Sequence, residues 1–232
     1  MALSKGQLTR QKMINLMYLV FIAMLALNIS AEVLDGFVLI NDNIQENIKV
    51  TSERNNQLYS NIEESNEGNK LKVERWYNIA QDVRIKTDSL FSYIQDLKVE
   101  IAKETDGKDA DVDNLKKMDN TSATTEVMLA VGKGKGNKLK NALDSYREEI
   151  VALIEDEGKK EIVRKTLSTE PSERARKANK SWLIASFENM PSISSVTFLS
   201  ELQLKIKQAE GEVLNVLVQN IDLKDLRVNE LR

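Results

Sequence analysis

Apolar and polar positions divide this chain into one uninterrupted apolar run and several amphipathic stretches. From Met13 to Ala31, MINLMYLVFIAMLALNISA, nineteen residues carry no charge. As an α-helix the run would rise about 28 Å, close to the thickness of a bilayer's hydrocarbon core, so it predicts a single transmembrane helix. Beyond it Val33, Phe37, Ile40, Ile44, Ile48, Leu58 and Ile62 keep to one helical face as far as Gly68. Membrane segment and first exported helix are expected to form one rod, with Gly36 as its flexing point. Trp76, Ile79, Val83, Leu90, Ile94, Leu97 and Ile101 then recur at helical steps and predict a second long helix between Asn69 and a break at Asp106-Gly107.

Residues 106–136 are irregular, although Thr124, Thr125, Val127, Leu129 and Val131 alternate briefly and predict a short strand. Leu139, Leu143, Tyr146, Ile150 and Leu153 restore a helical face from Lys138 onward, ending near Glu157-Gly158. After a polar segment, Trp182, Leu183, Ile184 and Phe187 form an apolar knot ahead of Pro191. Val196, Leu199, Leu202, Ile206, Ala209, Val213, Leu217 and Ile221 line one face of the last long helix, which a proline can precede or open. Long amphipathic helices cannot each bury a stripe alone. The expected fold class is therefore all-α: a transmembrane helix continuing into an up-down bundle of long helices, with minor loop and strand content. The expected division is an N-terminal tail at 1–12, the membrane helix at 13–31, a helical-bundle domain at 32–222 and, at 223–232, a linker toward further domains.

Charge orients this arrangement. Lys5, Arg10 and Lys12 precede the apolar run without an acidic residue among them, and Glu32 and Asp35 are the first charges after it. By the positive-inside rule the N-terminus stays in the cytoplasm and residues 32–232, with all 36 carboxylates, lie across the membrane. A cleaved signal peptide shares the basic start, but this run is too long, contains Asn15 and Tyr18, and lacks a small-x-small site before Ala31. At 100° per residue Arg10, Ile14, Met17, Phe21, Met24 and Asn28 share one stripe, with Tyr18 about 80° and Asn15 about 140° away. Asn15, Tyr18 and Asn28 thus face several directions, which suggests that protein surrounds much of the helix, since an amide or hydroxyl in hydrocarbon wants a partner. Arg10 is the charge on that stripe nearest the membrane; the alternative role for it is snorkelling to headgroups.

Composition removes several classes of function. The chain has 232 residues, net charge −3, no cysteine and no histidine, so disulfides and the usual soft metal ligands are absent. ETDGKDADVD lacks the EF-hand ligand order, and VGKGKG followed by Asn137-Lys138 lacks the spacing of a phosphate-binding loop. SERARKANKS is basic, but EDEGKKE before it is mixed in sign, and both read as solvated surface with local ion pairs. No metal, no cofactor and no catalytic residue is expected, because no nucleophile motif or metal triad accompanies any pair of carboxylates. The acidic balance opposes nucleic-acid binding.

QKMINLMYLVFIAMLALNIS, SFENMPSISSVTFLSELQ and the following GEVLNVL closely resemble the GldM family, also called PorM, of the Bacteroidetes type IX secretion and gliding machinery. The resemblance touches the membrane helix and both ends of the exported region. It implies an inner-membrane subunit of a motor driven by the proton motive force, in which a homodimer threads its membrane helices through a ring of the polytopic partner GldL. Motion would then reach secretion components at the outer membrane through further periplasmic domains. The family's membrane basic residue, just ahead of the QKMINLMY motif, falls on Arg10, which is then expected to ion-pair with a partner carboxylate. The apolar stripe through Phe21, Val33, Phe37, Ile40 and Ile44 is the expected dimer contact. The competing reading is a single-span periplasmic sensor with a ligand-binding helical domain; such a receptor needs a cytoplasmic output, and twelve residues before the membrane do not supply one.

Overall fold

A computed structural model describes residues 5–27 and 30–229, with side chains placed over 9–22 and 30–222. Among them the structure is all-α, without a strand. Three long helices form a rod: α2 (Ala31–Gly68), α3 (Lys70–Asp106) and α9 (Ser192–Asn229). Ahead of them stands α1 (Lys5–Leu27). Between the second and third long helices lie α4 (Ser122–Leu129), α5 (Gly136–Ala152), α6 (Glu157–Thr166), α7 (Glu173–Lys177) and α8 (Trp182–Phe187).

The expected single rod through the membrane segment is broken. Ser30 is extended (φ −65°, ψ 146°), and its carbonyl accepts the amides of Val33 and Leu34 to start α2 anew. Serine favours that half-in position. The interruption therefore falls at Ser30, while Gly36 sits inside an unbroken helix. Among the described residues no helix is long and apolar enough to cross a membrane. Residues 28 and 29 of the expected span, Asn28 among them, lie outside the described residues.

One residue turns α2 into α3. The amide of Asn69 bonds the carbonyl of Ser65, and its own carbonyl accepts the amides of Lys72 and Val73, so it ends one helix and begins the next. Helices joined this tightly must run antiparallel. α3 buries Val83, Leu90, Ile94, Leu97 and Ile101 as expected, with Trp76 and Ile79 at the rim. It stops at Gly107, whose φ of 99° suits glycine.

The expected strand at 124–131 is helical as far as Leu129. Asn120 Oδ1 accepts the amides of Ser122 and Ala123 and opens α4, and the residues it buries, Ala123, Thr124 and Met128, fit a helical face rather than an alternating one. So brief an alternation is too short a signal to outweigh such a cap. VGKGKG then forms a tight turn against α4: a Cβ on either Gly134 or Gly136 would meet the Met128 carbonyl oxygen at 2.7 Å. The helix expected to run to Glu157 ends at Ala152 instead, because Ile154 turns into the core and the Asp156 carboxylate accepts the Lys159 amide to start α6.

α9 is the central member. Its face of Val196, Leu199, Leu202, Ile206, Ala209, Val213, Leu217 and Ile221 is buried throughout. Its first amides are satisfied by the preceding loop, Ser192 by the Asn120 carbonyl and Ile193 by that of Met118. The apolar knot seats Trp182 and Phe187 against Phe198, with ring centroids 5.6 to 6.0 Å apart. Beyond Asp222 the helix is described to Asn229, within the stretch expected as a linker.

Directions follow from cross-helix bonds. Asn41 accepts from Ser200 at 2.8 Å and Asn55 donates to Glu210 at 2.9 Å, so α2 and α9 run parallel. Thr105 meets Ser192 and Lys207 meets Asp88, so α3 runs against both. α5 lies along α3, tied by Lys86 to Glu149 and Lys135 to Glu100. The bundle is up, down, up.

Candidate functional site

The residues singled out at the membrane end take two kinds of position. Arg10, Asn15, Tyr18 and Phe21 are exposed on α1. On α2, Val33 and Ile40 are half-exposed and stand clear of the bundle, whereas Phe37 and Ile44 are partly buried. The Phe37 carbonyl accepts the Thr197 hydroxyl of α9 at 3.3 Å. Val33, Leu39 and Ile40 leave an apolar strip uncovered near the start of α2.

A second constellation, which the apolar-stripe reading missed, lies inside the rod. Five of the six buried positions of α2, Leu34, Asn41, Ile48, Asn55 and Ile62, are each seven residues from the last, and Tyr59 is the sixth. This is a coiled-coil repeat in which two of the five recurring positions are asparagine. Both pair with α9. Asn41 Oδ1 accepts the Ser200 hydroxyl, which also donates to the carbonyl of Val196. Asn55 Nδ2 donates to the Lys207 carbonyl at 2.8 Å and to Glu210 Oε2 at 2.9 Å. Two acceptors around that nitrogen determine which way the amide points.

Glu210 is the centre of this cluster and is 1% exposed. Its carboxylate accepts from Asn55, from the Tyr59 hydroxyl at 2.8 Å and from the Lys207 ammonium at 3.1 Å. Lys207 continues to Asp88 of α3 at 2.9 Å, so one chain of polar contacts crosses all three long helices. A carboxylate removed from water is tolerable only with such a full set of donors. Burial first, and then the neighbouring Glu210 charge, push the Tyr59 hydroxyl well above the ordinary tyrosine range, so it stays a donor. The Arg84 guanidinium sits over its ring at 4.9 Å.

Nearer the loop end, Lys98 of α3 is buried at 1% exposure and donates to Gln203 Oε1 at 3.2 Å. Gln203 Nε2 is held in turn by the Phe91 carbonyl and Gln95. Burial lowers the Lys98 ammonium to about 8, against the raising influence of Asp113. Thr105, Ser192 and the Asn120 carbonyl make a further buried chain, and Thr124 donates to Ser195 at 3.0 Å. The polar face of SISSVTFLSELQ is thus turned inward and used. The signal that could have revealed these residues is the seven-residue recurrence of asparagine among aliphatic positions, which a search for apolar residues alone passes over.

Apart from Asp88 at the surface, these groups are largely closed to solvent and bonded to one another, an arrangement suited to holding helices in place. Among the described residues no group of three or more acidic side chains could hold a metal ion.

Residues 32–220, well over half of the chain, match the family model described as the GldM N-terminal domain. No curated protein matches the chain.

Proposed function

The chain belongs to the GldM family, a component of gliding motility and type IX secretion, and from that premise we propose that it is the membrane-anchored strut of a motor driven by the proton motive force. Its part in such a motor is to carry displacement outward from an inner-membrane ring. The observation that carries this reading is where the rod begins and ends. Because the long helices run up, down and up, α2 starts at one pole and α9 finishes at the other, about 57 Å away along a helix of 38 residues. An even number of passes would return the chain to the pole it came from. With three, a push at Ala31 is delivered at the far end of α9.

The anchor is the charge-free run Met13–Ala31, with the N-terminus cytoplasmic and the bundle periplasmic. No Asp or Glu lies in that run, so the titrating carboxylate belongs to a multi-span GldL-type partner, and Arg10 is its ion-pairing counterpart. Two copies of the chain sit at the centre, meeting along Phe21, Val33, Phe37, Ile40 and Ile44. Co-purification from membranes, followed by imaging in nanodiscs, tests the assembly: two central helices inside a multi-span ring are expected. Isolation of the chain from intact membranes without any multi-span neighbour would overturn it. Proton conduction by the chain alone in liposomes would do the same for the division of labour.

A further inference from the structure

The parallel course of α2 and α9 determines how an axial load must travel. Load applied at Ala31 arrives through α2, but α2 ends at Gly68 in a one-residue turn that leads back down. The helix that leaves at the far pole is α9, whose lower end follows the short α8 segment in the chain. Between these two helices the load crosses sideways, as shear along their shared seam.

Apolar packing alone resists such sliding poorly. On α9, Leu199, Ile206 and Val213 recur every seven residues, as do Leu202, Ala209 and Val216. On α2, Leu34, Ile48 and Ile62 stand two such periods apart, with Asn41 and Asn55 between them. A slip of one heptad would therefore return aliphatic residues to aliphatic neighbours. The polar pairs do not repeat in this way. With α9 drawn outward by seven residues, Asn41 would face Ile193 in place of Ser200, and Glu210 would leave both Asn55 and Tyr59, with the neutral Gln203 arriving in its place. Asn55 would also lose its notch, since Gly211 is the position at which its Oδ1 fits. The Asn41 amide facing an aliphatic side chain and the Glu210 carboxylate taken from its donors make the slipped state costly.

We infer that Asn41, Asn55 and Glu210 form a register lock on the α2–α9 seam that prevents the exit helix from sliding along the entrance helix under load. The inference rests on reading the chain as a force-transmitting strut. Its two outer points, Asn41 with Ser200 and Asn55 with Glu210, are fourteen residues apart on α2, so together they also resist twisting of one helix about the other.

The chain contains no cysteine, which allows a direct test on the purified full chain. Thr51 and Gln208 flank the same groove between α2 and α9, so cysteines there report the native register. Cysteines at Thr51 and Glu201 report a slip of one heptad. In the parent only the first pair should form a disulfide on oxidation. In Asn41→Leu/Asn55→Leu, with folding checked by a helical thermal melt, the second pair should form as well, a gain of slipped crosslink without loss of the folded state. If the double variant does not fold, Asn41→Leu alone carries the same expectation, since it leaves the partners of Glu210 in place. Exclusive native-register crosslinking in every folded variant overturns the lock. Because no ring partner and no motility enter the measurement, it stands or fails independently of the motor reading.

Discussion

Asn55 on α2 and Gly211 on α9 fit so closely that the asparagine Oδ1 lies 2.7 Å from the place a Cβ on Gly211 would occupy. That oxygen has no conventional donor. It faces the glycine Cα–H across the seam, a contact of the weak C–H to oxygen kind. The glycine is needed here for close approach of a neighbour, its backbone being ordinary helix.

Gly211→Ala should therefore destabilise the domain by about 1–3 kcal/mol through overpacking, even though alanine is the better helix former. Asn55 cannot swing aside without releasing Glu210 and the Lys207 carbonyl. Denaturant unfolding of the chain measures the change. Combining it with Asn55→Ala should recover part of the loss, and strict additivity of the two would refute the notch.

Removing the carboxylate at the centre should cost more. Glu210→Ala leaves the Tyr59 hydroxyl, the Asn55 amide and the Lys207 ammonium short of an acceptor in a buried site, and a loss of about 3–5 kcal/mol is expected. Glu210→Gln keeps one acceptor and should lose less. Equal unfolding midpoints for the two variants would contradict a role for the charge.

Lys98 makes stability depend on alkaline pH. Its ammonium titrates near 8 in the fold and near its ordinary 10.5 when unfolded, so between these values the unfolded chain binds more protons. Stability then rises as pH increases from about 8. Above about 10 the raised hydroxyls of Tyr59 and Tyr146 act in the opposite sense, since they ionise more readily once unfolded. Lys98→Met should remove the rise between 8 and 10 and stabilise the chain at pH 7 by up to about 3 kcal/mol. Unfolding curves at pH 7, 8, 9 and 10 are the measurement; the same slope in both proteins would rule the effect out.

The uncovered strip on α2 gives a prediction for the dimer. Single cysteines at Val33 and Ile40, which stand clear of the bundle, should crosslink between copies in membranes. Cysteine at Ile44, partly buried within its own bundle, should do so more slowly. Crosslinking confined to the opposite side of α2 would place the contact elsewhere.

Arg10 separates a switch from an anchor. An arginine that pairs with a titrating carboxylate needs its charge, so Arg10→Gln should assemble normally yet abolish gliding and secretion. One that merely holds the N-terminus among headgroups should be served nearly as well by lysine and tolerably by glutamine. Motility and secretion, with co-purification as the control for assembly, distinguish the two; a moving, assembled Arg10→Gln motor ends the switch hypothesis.

The residues themselves determined most of the helical framework. Where an apolar stripe persists for many turns, as from Val83 to Ile101 or Val196 to Ile221, burial of that stripe leaves few alternatives, and both segments fold as their periodicity requires. The charge-free run, its basic flank and the absence of cysteine and histidine are likewise properties of the chain before it folds. Tertiary structure decided what short signals could not. The brief alternation at 124–131 yielded to the Asn120 cap and became helix as far as Leu129, and a serine at position 30 divided what an unbroken apolar pattern joins. It also decided which long helices run parallel, and with that the meaning of Asn41, Asn55, Glu210 and Lys98. In sequence these are polar residues among many. Only a partner on another helix, more than 100 residues distant in the chain, turns them from solvated groups into buried ones whose donors and acceptors must match. Periodicity reports which face is buried, and the identity of the facing residue is a property of the fold.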